Sequence, residues 1–227
     1  FSPASAGPGA TVTITGVNLT GVTAVTFGGT AASSFTVVNS TTITAVVGPG
    51  ASGAVTVTAP HGTGTKDGFT FVPLPTITSF TPTTGITGST ITITGTNFTT
   101  ATAVSFGGVA AASFTVVNST TITAVVGAGT SGNVAVTTIG GTASLPGFTY
   151  IPTPDVISFT PTTGTIGTTV TISGSNFTGV TDVRFGGIPP ASFTVANNTP
   201  ITATVLGGSS GHVRVTGPGG SDSLDGF

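Results

Sequence analysis

The feature that most constrains this chain is a letter-for-letter internal duplication. Ser34 to Gly48 reads SFTVVNSTTITAVVG, and the same 15 residues return unchanged as Ser113 to Gly127, 79 positions on. A looser third copy runs from Phe185 through Ser192-Phe193-Thr194-Val195 to Ile201-Thr202-Ala203 at the same spacing. A pattern repeated without insertion or deletion is one structural unit copied in tandem. The 227 residues therefore divide into three units, 1–72, 73–151 and 152–227. The boundaries fall at Val72-Pro73-Leu74-Pro75 and Ile151-Pro152-Thr153-Pro154. Alternating proline stiffens a short connector toward the extended form, so the units are expected to stand as a semi-rigid rod.

Each unit alternates as a strand protein does. In the second copy Thr90-Ile91-Thr92-Ile93-Thr94 puts isoleucine on one face and threonine on the other, the mark of a strand with one buried side. Thr76–Phe80 reads as an opening strand, ended by the turn-forming stretch Thr81–Gly88. Ala103–Phe106 follows with Val104 and Phe106 inward, and Gly107-Gly108 is a hairpin-turn signal. Further strands are expected at Ser113–Val117, Thr121–Val126 and Val134–Thr138, with a last one around Phe148-Thr149-Tyr150. Seven or eight short strands in under 80 residues predict an antiparallel β-sandwich. Phenylalanines recur at the repeat spacing, for example Phe27, Phe106 and Phe185, or Phe69, Phe148 and Phe227. Phe71 exchanges with Tyr150, and Leu19 with Phe98 and Phe177, as core positions tolerate.

Composition agrees with an all-β chain and narrows its chemistry. Only 4% of residues are charged: Lys66, Arg184 and Arg214 against Asp67, Asp155, Asp182, Asp222 and Asp225, with His61 and His212 beside them. Threonine, 53 residues, supplies polarity in place of charge, and its β-branched side chain suits a pleated strand. With no cysteine there is no disulfide framework. No run of 18 apolar residues occurs, so no membrane-spanning helix is expected.

The residues also carry a family likeness. Ile77-x-Ser79-Phe80-x-Pro82-x-x-Gly85-x-x-Gly88 is followed by Ile91-Thr92-Ile93-x-Gly95-x-Asn97-Phe98 and by Val104-x-Phe106-Gly107-Gly108. Thr121-Ile122-Thr123-Ala124, Gly132-x-Val134-x-Val136 and Phe148-Thr149-Tyr150 close the unit. Each copy resembles an IPT/TIG domain, an immunoglobulin-like module of the E-set type found in plexins, some transcription factors and bacterial surface proteins. The likeness covers essentially the whole chain. The first copy departs at Gly7 and Pro8, and no copy has the proline usual after the Ala-x-Val strand. The resemblance implies a fold and an adhesive or spacer role more than any chemistry, because function lives in sites rather than folds.

Few residues are candidates for a site. Catalysis needs titratable groups held together, and no acid or histidine recurs at one position in all three copies. The chain is read as no enzyme, with no cofactor. Three basic residues and a net charge of −2 do not supply the phosphate neutralisation that nucleic-acid binding requires. Asp222 and Asp225 are read as loop solvation near the chain end rather than as a calcium cluster. Asn-x-Ser/Thr triplets at Asn18, Asn39, Asn97, Asn118, Asn176 and Asn197 are acceptors for sugar in a glycosylating cell, or turn residues that happen to precede strands. The third copy alone concentrates polar novelty: with Val183, Phe185, Val213 and Val215 inward, Asp182, Arg184, His212 and Arg214 face out. Asp182 is expected opposite Arg214, and Arg184 opposite His212, as a surface ion pair or a binding patch.

The sequence thus reads as three tandem sandwiches forming a structural stalk or adhesin segment of an extracellular or cell-surface protein. Its partners would be neighbouring copies in the same chain and a protein or glycan on a cell surface. Two alternatives stay open: an accessory module of a secreted polysaccharide-acting enzyme, and a filament subunit that self-assembles by strand complementation. At about 3.3 Å per strand residue each unit should be roughly 35–40 Å long, and the rod on the order of 100–120 Å. Phe1 aligns with Phe80 and Phe227 with Phe148, so the chain is expected to be an excerpt of a longer array.

Overall fold

The computed structural model describes residues 1–207 and 210–227, and it is built of strands and turns. The first copy holds β1 (Ser5–Ala6), β2 (Thr11–Thr15), β3 (Ala24–Phe27), β4 (Thr30–Ala31), β5 (Ser34–Asn39), β6 (Thr42–Val46), β7 (Gly53–Ala59) and β8 (Gly62–Phe71). The second holds β9 (Thr76–Thr81), β10 (Thr84–Gly85), β11 (Thr90–Thr96), β12 (Ala101–Phe106), β13 (Val109–Ala110), β14 (Ser113–Asn118), β15 (Thr121–Val125), β16 (Gly132–Thr138) and β17 (Gly141–Tyr150). The third holds β18 (Asp155–Thr160), β19 (Thr169–Ser175), β20 (Asp182–Phe185), β21 (Ser192–Val195), β22 (Ile201–Thr204), β23 (His212–Gly217) and β24 (Gly220–Asp225).

Every copy folds as two facing sheets. In the second copy these run β14-β15-β11-β9 and β10-β17-β16-β12-β13. The inward residues of both meet in one core: Ile91, Ile93, Ile122 and Ala124 from the first sheet, Val104, Phe106, Val134, Val136 and Phe148 from the second. Burying each of these isoleucine, valine or phenylalanine side chains contributes about 1.5–3 kcal/mol. The Phe106 and Phe148 rings lie 4.9 Å apart between centroids, and the same pair recurs as Phe27–Phe69 at 4.7 Å and Phe185–Phe227 at 4.8 Å. Phe114 and Tyr150 are only partly buried and pack on the core margin.

The outer face of the β9-containing sheet is threonine. Thr92 lies opposite Thr123 on one side and Thr81 on the other, while Thr94 lies opposite Thr121 and Ser79. Hydroxyls thus solvate a sheet face that most proteins cover with charge, and β-branched neighbours stabilise it across strands.

Two expectations are corrected. The sandwich is not wholly antiparallel, because β10 pairs in parallel with β17 and β1 with β8. β10 lies within the stretch read from sequence as turn: past Pro82 the chain crosses to the opposite sheet and adds two residues to its edge. The last strand is also longer, beginning at Gly141, because the hairpin from β16 is tight and pairing starts at once, with Thr138 opposite Gly141. The hairpin signal at Gly107-Gly108 holds: both have positive φ, 58° and 86°, and Phe106 pairs with Val109, as a type I′ turn requires.

One glycine is required by close approach. Gly95 lies at the bulge where β11 pairs with β9, and a Cβ there would collide with the Thr76 carbonyl and the Phe98 ring. Gly174 meets Asp155 and Phe177 in the same way.

Candidate functional site

The structure draws attention first to how the copies are joined. Asn97 occupies a left-handed backbone conformation, φ 61°, which asparagine tolerates better than other side-chain-bearing residues. From there its amide donates to the Leu74 carbonyl at 2.7 Å. Asn176, φ 59°, repeats the device and donates to the Thr153 carbonyl at 3.0 Å. On the other side of the first linker the β16–β17 turn presses in, so closely that a Cβ on Gly140 would strike the Pro73 carbonyl. Thr138, 5% exposed, supports that turn by accepting from the Gly140 N–H at 3.0 Å. At the second linker Gly219 meets Pro152 in the same way, and the Thr153 hydroxyl donates to the Gly219 carbonyl at 3.3 Å. Both connectors are gripped between an asparagine amide and a glycine turn of the following copy.

These contacts sort the six Asn-x-Ser/Thr triplets. Asn97 and Asn176 use their amide N–H groups on the linkers, and Asn18 holds the same left-handed position in the first copy, φ 57°. Asn39 and Asn118 instead turn their carbonyl oxygens to the backbone and hydroxyl of Thr41 and Thr120, at 2.8 and 2.9 Å in each case. Those side chains nucleate the β5–β6 and β14–β15 turns. Asn197, their counterpart, has φ 63°.

The charged side chains of the third copy are paired differently from expectation. β20 and β23 are antiparallel neighbours, with Asp182 opposite Thr216 and Arg184 opposite Arg214. His212 lies opposite Asp225 on β24. The offset is two residues. Keeping Val183 and Val215 both inward satisfies face parity at either register, and the bonds Thr181 N–H to Thr216 O and Gly186 N–H to His212 O fix the observed one. Arg184 therefore pairs along its own strand, its Nε donating to Asp182 Oδ2 at 2.7 Å, with the two side chains 43% and 35% exposed. Its Nη1 donates to the Gly187 carbonyl at 3.1 Å. Arg214 donates to the neutral Ser221 hydroxyl at 3.0 Å.

Asp222 corrects the loop-solvation reading. It belongs to β24, opposite Val215, and its carboxylate accepts from the Val156 N–H at 2.7 Å. Among the described residues no group of three or more His, Cys, Asp or Glu side chains is placed to hold a metal ion. No helix among them is long and apolar enough to cross a membrane.

The family model for the IPT/TIG domain matches residues 1–72, 75–150 and 154–224. No curated protein matches the chain. Among solved structures, a complex with xylogluco-oligosaccharide matches at 24% identity and TM-score 0.41 over 97% of this chain and 57% of its own. SGBP-B from a xyloglucan utilization locus of Bacteroides uniformis matches at 24% identity and TM-score 0.34 over 68% of this chain and 49% of its own. The extracellular region of plexin A4 matches at 21% identity and TM-score 0.40 over 97% of this chain and 21% of its own. The chain spans about half the length of the first two, 57% and 49%.

Proposed function

Because the chain belongs to the IPT/TIG domain family, in three tandem copies, we propose that it is a non-catalytic spacer segment of an extracellular or cell-surface protein. It sets a distance between what is joined to its two ends and offers its exposed faces to a protein or glycan partner. The observation that carries this reading is the double grip on each linker, Asn97 on Leu74 and Gly140 on Pro73, then Asn176 on Thr153 and Gly219 on Pro152. A connector held on both sides transmits orientation from one sandwich to the next, which a flexible tether does not. Asp182, Arg184, His212 and Arg214 lie on the open face of a sheet, where water screens them. That favours binding over catalysis.

Small-angle scattering tests the reading. The chain should show a maximum dimension on the order of 100–120 Å, and the Asn97→Ala/Asn176→Ala variant should show a broader distribution of distances. A compact globule, or a variant indistinguishable from the parent, would overturn it.

A further inference from the structure

The two junctions of the array are built differently, and the difference traces to one position of the repeat. Gly7 of the first copy lies so near the β16–β17 turn of the second that a Cβ would collide with the backbone of Gly140. In the next junction the counterpart of Gly7 is Ile86, and that of Gly140 is Gly219. An isoleucine side chain cannot enter a contact that excludes a single methyl group. The second and third copies therefore cannot close on each other as the first two do.

Between them lies a cleft of about 550 Å³ lined by Tyr150, Pro152, Asn176, Thr178, Asn198 and Pro218, among others. That volume and that place, between two domains, are those of small-molecule sites. No lining residue is charged. Asn176 donates one N–H to Thr153, which leaves its carbonyl oxygen as an acceptor and its second N–H as a donor. Asn198 accepts from the Thr178 hydroxyl at 3.3 Å, which leaves its two N–H groups as donors. The first junction carries Ser119 where the second has Asn198, so that carboxamide is particular to the open junction.

A donor and an acceptor beside proline and tyrosine, without charge, select the chemistry of the ligand. An ion entering the cleft would lose hydration and gain no counter-charge. A wholly apolar ligand would leave the two carboxamides without partners. A sugar ring presents C–H surface to the apolar wall and hydroxyls that both donate and accept. We infer that the cleft between the second and third copies binds a neutral oligosaccharide. This rests on the reading of the array as a surface spacer with a glycan partner, and it names the site.

Calorimetric titration of the full chain with cellohexaose, xylohexaose and mannohexaose tests it. At least one should bind saturably in the millimolar range or tighter. Asn198→Ser, which installs the residue of the first junction, should weaken that binding about tenfold, the loss of one or two hydrogen bonds. Ile86→Gly, which lets the junction close, should abolish it while the melting temperature confirms folding. Binding unchanged in both variants but lost in Arg214→Thr would move the sugar to the charged face and overturn the cleft. No binding of any probe, or binding of decaproline in the cleft instead of sugar, would also overturn it, and neither result would touch the rod length measured by scattering.

Discussion

The carboxylate of Asp222 accepts a hydrogen bond from the backbone N–H of Val156 at 2.7 Å, joining β24 of one sheet to β18 of the other. Gly64 and Ala143 hold the equivalent position in the first two copies, so this tie belongs to the third sandwich alone. A half-buried bond to a charged acceptor is worth about 1.5–3 kcal/mol. Asp222→Ala is expected to destabilise the third copy by roughly that amount in urea titration, and Asp222→Asn, which keeps an acceptor, by less. Equal losses in both would mean that the acceptor geometry is not what matters.

Arg184 and Arg214 stand opposite each other across β20 and β23, an arrangement of like charges that destabilises a sheet. Thr26 and Thr56 hold these places in the first copy. Replacing Arg214 with threonine should stabilise the third copy by about 0.2–1 kcal/mol at low salt, and the gain should shrink as salt screens the repulsion. A loss of stability that persists in high salt would show that Arg214 contributes by packing its stem.

How far the sequence revealed this depends on the range of the interaction. Ile91 and Ile93 alternate with threonine, and that local pattern alone placed β11 and its buried face. Gly107-Gly108 likewise announced the β12–β13 turn, because positive φ at two successive residues has few solutions. The register of Arg184 was not legible: strands β20 and β23 are almost thirty residues apart in sequence, and parity permits pairings two residues apart equally well. Asp222 was misread for a related reason. Its side chain faces inward only because β24 begins directly after the Gly217–Gly220 hairpin, and the chain around it is mostly serine, glycine and aspartate, which reads as loop. The opening of the second junction was written plainly, as Gly7 against Ile86, but it acquires meaning only once Gly7 is seen against Gly140.

Two glycines separate close approach from mere permissiveness. A Cβ on Gly95 would meet the Thr76 carbonyl and the Phe98 ring, whereas one on Gly64 would meet nothing within 4 Å. Gly95→Ala should therefore force the opening strand off β11 and cost the second copy about 1–3 kcal/mol, the usual range for overpacking. Gly64→Ala should be neutral or gain up to about 1 kcal/mol, by restricting the unfolded chain. Thermal unfolding of the two variants side by side decides this, and a tolerated Gly95→Ala would show that β9 can shift without loss.

The three sandwiches should unfold independently of one another. Phe106 is 1% exposed and packs against Phe148 at the centre of the second core. Each copy has its own such pair and its own cluster of buried residues. The copies meet through linkers and turns, as at Gly7 and Gly140, rather than through a shared core. Phe106→Ala removes a buried ring, at a cost of about 3–5 kcal/mol, and this should fall on the second sandwich alone, since distant sites with separate partners behave additively. Calorimetry should then resolve one component moving to lower temperature while the others stay in place. If all three sandwiches melted earlier together, the gripped linkers would be coupling their stability as well as their orientation.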